Sequence, residues 1–259
     1  LSLQVELYPD NQLGSVHNQL LGVEHGSIEL AVVPGTEMQT FPSFALFNIP
    51  YLFKDYSGLR SLLENEQNRS VLENELARAG ILYIDWGFEG YRHIVESPPS
   101  PAHISDNLVG VSSIETVAGN SFFEAQGLIP QSYAKEILLG YLRSGALPFA
   151  EISSSQWLNH NLKEYVEEIT FPQYLSVPNF FLMNVEFWRS LSSEDKQLIT
   201  DAIHKTATYG TRLVLETESQ FSAQHGGDLH IYIPEREYFD DVAADLDLSQ
   251  FKETDNLLQ

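Results

Sequence analysis

The most constraining feature of the sequence is a helix near its C-terminal end. From Ser192 the pattern of good helix formers runs without a break to about Gln224, before Gly226 and Gly227. Ser192 suits the N-cap position, with its hydroxyl accepting from the backbone of Asp195 and the Asp195 carboxylate reaching back. Leu198, Ile199, Ala202 and Ile203 supply the apolar stripe. About 30 residues at 1.5 Å each give about 45 Å, more than one small domain can cover. Such a helix predicts an architecture in which one element runs across two lobes.

The rest of the chain alternates. Residues 5–8 read as a strand, 17–25 as a helix stopped by Gly26, and 28–33 as a buried strand before Pro34 and Gly35. The aromatic stretch 41–53 carries Pro42 and Pro50 and reads as packed and irregular. Leu59, Leu62, Leu63, Leu72 and Leu76 place a helix over 56–79, ended by Gly80. The apolar run 81–84 reads as a strand finishing at Trp86-Gly87. This alternation is the signature of an α/β layer with a largely parallel sheet. Three prolines within 97–101 make that stretch the linker candidate. Beyond it, strands are expected over 109–116 and 180–183, and helices over 121–126 and 133–144.

Composition then narrows function. The chain of 259 residues holds 36 acidic and 14 basic side chains, a formal net charge of −22. That balance, with no Lys/Arg cluster to offset it, opposes binding to nucleic acid. No apolar run approaches the 18 to 20 residues that span a bilayer. With no cysteine, disulfides, thiolate metal sites and cysteine nucleophiles are excluded. Eight histidines show no metal-ligating spacing, and neither a Gly-x-Ser-x-Gly elbow nor a phosphate-cradling glycine loop is present, so no metal, cofactor or catalytic residue is expected. The acidity itself has two readings: solubility in a saline medium, or a preference against anionic ligands. Trp86, Phe88, Tyr91 and Trp157 fall where expected elements end. They suit either core packing or a cleft beyond the carboxyl ends of the strands.

Eight motifs, in order, resemble those of one family. They are the run from Val5 to Gly14, Gly26 to Leu30, Phe41-Pro42, Ile49 to Asp55, Gly90-Tyr91-Arg92, Asp106 to Gly110, and Glu136 to Gly145, closed by Asn184 to Leu191. The sequence resembles the extracytoplasmic solute-binding proteins of tripartite ATP-independent periplasmic (TRAP) transporters, the dicarboxylate-binding class. The resemblance implies an α/β, two-lobe periplasmic-binding-protein clamshell (Venus flytrap) with a long helix spanning both lobes. It assigns residues 1–96 plus 184–225 to lobe I and 97–183 plus 226–259 to lobe II. It implies a non-enzymatic, periplasmic protein, not itself membrane-spanning. Its partners would be a small organic solute and the TRAP membrane subunits, with uptake driven by an ion gradient. A sensor or protein-interaction module without transport is the alternative.

Three departures from the family pattern shape the expected pocket. The strand and helix that normally precede the Tyr-Pro segment are not in the sequence, nor is a signal peptide. The family's carboxylate-pairing arginine, four residues after the glycine of Asp106–Gly110, is replaced by Ile114. Of the family's Val-Asp-Gly-x-Glu-Asn run only Glu151 survives, within Leu147 to Ile152. Isoleucine supplies neither charge nor donor. The expected ligand is therefore apolar, neutral or cationic, in a cleft formed by Glu37, Trp86, Glu89, Arg92, Ile114, Glu151 and Trp157.

Overall fold

A computed structural model describes residues 3–9, 11–96, 109–112, 122–124, 128–131, 135–147, 149–166 and 168–224. Its helices are α1 (Val16–His25), α2 (Tyr56–Glu64), α3 (Glu66–Arg78), α4 (Lys135–Ser144), α5 (Ser154–Asn159), α6 (Val185–Ser190) and α7 (Ser193–Gln224). The strands are β1 (Leu30–Pro34), β2 (Ile81–Glu96), β3 (Val109–Ser112), β4 (Leu128–Gln131), β5 (Phe149–Ser153) and β6 (Glu168–Asn184). Short 3-10 turns cover Gly35–Glu37, Pro42–Asn48 and Leu162–Glu164. The six strands form one sheet in the order β1-β6-β2-β5-β3-β4.

Two long strands organise everything else. β2 and β6 pair antiparallel from Ile81 opposite Asn184 to Glu96 opposite Glu168. Sixteen residues of β2 extend about 53 Å at 3.3 Å each. The 32 residues of α7 extend about 48 Å, and the helix lies along the strand for much of that length. Ile203 and Ala207 pack with Phe181, Thr211 Oγ1 accepts from the Phe88 amide at 2.9 Å, and Phe221 joins the cluster around Val95 and Trp157. Gly87 faces the helix backbone at Ala207, so the two approach closely. The cap expected at Ser192 is present: its hydroxyl accepts from the Asp195 amide at 3.0 Å and donates to the Asp195 carboxylate at 2.7 Å.

The sheet corrects several expectations. It is mixed, not largely parallel: β1 and β2 are each antiparallel to β6, which lies between them, and β2 is antiparallel to β5. Only β3–β4 and β3–β5 pair in parallel. The strand expected to stop at Trp86-Gly87 continues to Glu96, and that expected over 180–183 begins at Glu168. The helix over 56–79 breaks at Asn65, whose extended backbone ends α2 and whose side chain caps α3 by accepting from the Gln67 and Asn68 amides. Residues 5–8 form no strand, and Val5 and Leu7 are exposed. The linker 97–101 lies outside the described residues, as do Ile114 and residues 225–259.

The core has a large aromatic centre and a smaller second one. Phe44, Phe47, Phe180 and Tyr83 anchor the first, between β1, β6, β2 and the 3-10 turns. Leu142, Ala150, Ile152, Trp157 and Phe221 form the second, at the β5 end. β2 and α7 contribute to both.

Candidate functional site

The stretch of β2 between the two cores is irregular, and the irregularity builds the site. In a regular strand residues 89 and 92 would point to opposite faces. Here the pairing slips: Phe88 lies opposite Pro178 and Gly90 opposite Val177, so Glu89 is an extra residue in the strand. A bulge of this kind re-aims side chains, and Glu89 contacts Arg92 through a guanidinium–carboxylate hydrogen bond. On the neighbouring strand Arg92 lies opposite Ser153 and Ile94 opposite Glu151. Arg92 and Glu151 are therefore diagonal neighbours on one face, with Arg92 Nε 3.6 Å from Glu151 Oε1. β6 is also distorted: four of its residues span the step from Arg92 to Ile94, and Gln173 has a φ of 52°. This places Tyr174, whose hydroxyl donates to Glu151 Oε2.

The cluster is largely buried, with side-chain exposures of 17% for Arg92, 23% for Glu89 and 10% for Glu151. Glu37, in the turn after β1, stays exposed but belongs to the same electrostatic group. Loss of water raises its carboxyl pKa, and the Glu89 and Glu151 charges add to that while Arg92 opposes it. Burial works to lower the Arg92 pKa, and the two carboxylates more than offset it. Tyr174 is pushed well above the ordinary phenol range by burial and by the Glu151 charge. Glu89 Oε2 and Arg92 Nε are enclosed atoms with no hydrogen-bond partner among the described residues.

The opposite face of β2 carries a second polar chain. The Gln173 amide donates to His93 Nδ1 at 3.1 Å, so the imidazole proton resides on Nε2, which donates to Ser154 Oγ at 2.8 Å. Ser154 in turn donates to Glu218 Oε2 at 2.5 Å, and Glu218 Oε1 accepts from the Tyr91 amide at 2.9 Å. Gly90 has a φ of 122°, and a Cβ there would stand 2.7 Å from Glu218 Oε1. Gly90→Ala is therefore expected to lower stability by roughly 1–3 kcal/mol from the backbone alone, with displacement of Glu218 in addition. Urea unfolding of G90A, E218A and their double variant checks this, because the double should cost less than the sum.

Burial raises the Glu218 pKa, against the opposing effects of Ser154, the Tyr91 amide and Arg92. A carboxyl raised in the folded state stabilises fully below its unfolded pKa of about 4.3, and that contribution is lost as pH rises through the folded value. The stability of the protein relative to E218Q is thus expected to fall as pH rises from about 4.5 through the raised folded value. A rise over that window in urea unfolding would refute it.

Of the seven residues expected to line a cleft, the structure brings Glu37, Glu89, Arg92 and Glu151 together. Trp86 packs beside Tyr56, ring centroids 6.1 Å apart, in the layer that holds Phe88 and Tyr91. Trp157 is buried edge-on against Phe221 at 5.7 Å, with its Nε1 donating to Gln224 at 3.3 Å. Ile114 lies outside the described residues. Tyr174, His93, Ser154 and Glu218 escaped sequence reasoning. Glu218 alone left a signal, an acid between Val214 and Phe221 on a helical face. Among the described residues no group of three or more His, Asp or Glu side chains is arranged to hold a metal ion, and no helix is long and apolar enough to cross a membrane.

Comparison with known proteins places this geometry. Residues 2–244 match the model of the bacterial extracellular solute-binding protein family 7. The C4-dicarboxylate-binding periplasmic protein DctP of Rhodobacter capsulatus is 21% identical over 223 residues, covering 83% of this chain and 65% of its own, so the chain spans less than two thirds of that relative. A TRAP periplasmic solute-binding protein from Shewanella oneidensis with bound succinate superposes with a TM-score of 0.79 at 17% identity, over 98% of this chain and 86% of that one. One from Roseobacter denitrificans with bound β-D-glucuronate gives 0.75 at 19%, over 96% and 85%. The mixed sheet, the strand pair and the crossing helix are thus those of the two-lobe TRAP clamshell, and the chain belongs to family 7 of the bacterial extracellular solute-binding proteins.

Proposed function

We propose that this protein captures a small organic solute between its two lobes at the Arg92 cluster and presents it, in the periplasm, to the membrane subunits of a TRAP transporter. Binding, not turnover, is the proposed activity. The observation that carries the reading is the placement of Arg92, Glu89, Glu151 and Tyr174 where β2, β5 and β6 meet between the two cores. Closure follows if the solute touches both lobes, because it then favours the closed state by its extra contacts. The solutes held by the Shewanella and Roseobacter proteins, succinate and β-D-glucuronate, support a small polar organic ligand.

Charge refines the ligand class. Among the described residues of the cluster three carboxylates face one guanidinium, and Glu89 already occupies part of it. An incoming carboxylate must compete with Glu89 and meets like charge at Glu37 and Glu151. We therefore place a neutral or cationic solute ahead of a simple anion.

Thermal unfolding across a metabolite panel tests capture, since a ligand at a hundredfold excess over its Kd adds about 2.7 kcal/mol. A panel without a single stabilising compound would count against it. Calorimetry with succinate and glucuronate tests the ligand class separately. Micromolar binding of either would retire the preference for neutral or cationic solutes and leave capture standing.

A further inference from the structure

Arg92 is held from behind. On β2 its two neighbours, Tyr91 and His93, both feed into the polar chain on the opposite face of the sheet, Tyr91 through its amide and His93 through its imidazole. On β5 its register partner is Ser153, and Ser154 is the next residue along. On β6 the residue before Tyr174 is Gln173, whose amide meets His93. Every one of these threads ends, directly or through one or two side chains, on the carboxylate of Glu218 in α7. Glu218 is 7% exposed and sits where the helix passes from the large core to the small one: Ala207 and Val214 approach β2 at Gly87 and Gly90, while Phe221 and Gln224 meet His93 and Trp157.

We propose that Glu218 is a positioning residue that fixes the angle between the lobes and the orientation of Arg92, by tying α7 to the bulge of β2 and to the first turn of α5. It touches no solute. It acts by holding the Tyr91 amide on one oxygen and the Ser154 hydroxyl on the other, and the glycine at position 90 exists to admit it. Two acceptor oxygens at this one point are what the arrangement requires, because β2 and α5 converge there on α7 and each brings its own donor. A glutamine keeps one acceptor and turns the other into a donor facing Ser154. Alanine leaves the Tyr91 amide and the Ser154 hydroxyl without their buried acceptor. The proposal rests on the two-lobe reading given above, but it concerns the resting geometry and needs no solute.

The cysteine-free sequence offers a direct test. Spin labels at Ser61→Cys on α2 and Ser144→Cys on α4, both exposed, report the distance between the lobes by pulsed electron resonance on the full chain. The parent is expected to give one narrow distance distribution, E218A a distribution at least twice as broad, and E218Q and S154A intermediate ones. Leu72→Ala, a buried change in α3 remote from the network, serves as the control for lost stability and is expected to leave the distribution unchanged. If E218A does not fold, E218Q and S154A carry the comparison. Distributions for E218Q and S154A that superimpose on the parent overturn the proposal, as does equal broadening by L72A. Because no ligand is added, neither outcome bears on solute capture, and an empty metabolite screen would not touch this result.

Discussion

Arg92→Ala is expected to lower the unfolding free energy by roughly 3–5 kcal/mol, the usual cost of removing one partner from a buried ion pair. The guanidinium is the only positive group that the described structure sets against Glu89 and Glu151, and both carboxylates are more than three-quarters buried. Without it they repel each other in a site poor in water. Most of the cost is thus the two stranded charges, not the lost attraction. Two further variants separate these terms. Arg92→Lys keeps a charge but loses the planar fork that reaches Glu89 and Glu151 together, so it should recover only part of the loss. The double variant R92A/E89Q removes one stranded charge and should be more stable than R92A alone. A double variant as unstable as the sum of the singles would show that Arg92 contributes by packing. Solute affinity should fall by at least tenfold in R92A under conditions where the variant remains folded, measured with whichever compound the metabolite screen returns.

What could be read beforehand follows a physical line. α7 was legible because a cap, a 3.6-residue period and a glycine stop all agreed at Ser192, Ile203 and Gly226. β2 was read too short because glycine in a strand looks like an end. Gly87 and Gly90 serve instead to admit a helix backbone and a buried carboxylate, both supplied by residues more than a hundred positions away. Reading β6 over 180–183 alone is too short for the complementary reason. Pro172 and Pro178 argue against a central strand, yet Pro178 lies opposite the Phe88–Gly90 slip and Pro172 within the distorted step beside Ile94, where the ladder is already broken. The parallel sheet was expected because local alternation says nothing about a strand inserted later from the far end of the chain. In the site, Arg92 and Glu151 rest on the resemblance; no sequence signal reveals that a bulge turns Glu89 toward Arg92. Trp157 shows the limit in the other direction: at the end of an expected element it suited a cleft as well as a core, and only its ring contact with Phe221 distinguishes them.

Phe180→Ala is expected to be as damaging as the loss of Arg92, by roughly 3–5 kcal/mol, for an entirely different reason. Its ring is fully buried on β6 at the junction of β1 and β2, with Phe44 at 5.1 Å, Phe47 at 5.3 Å and Tyr83 at 5.4 Å between centroids. Three aromatic rings on strands and turns of different origin cannot all move inward to refill the hole, so the cavity term adds to the transfer term. Phe180→Leu retains most of the volume and should lose considerably less. The site should feel the change too. A Cβ at Gly35 would stand 2.8 Å from the Phe180 ring, so the turn Gly35–Glu37 rests directly on it. Emptying that seat should loosen Glu37 while leaving in place Glu151, on β5, and Tyr174, whose ring packs on Phe122 and Phe123. Hydrogen exchange separates the two: the Met38 amide, bonded to the Gly35 carbonyl at 3.3 Å, should exchange faster by more than the global loss explains, and the amides of β5 should not. Uniform acceleration across both would mean that Phe180 supports the fold as a whole and has no particular hold on the edge of the cleft.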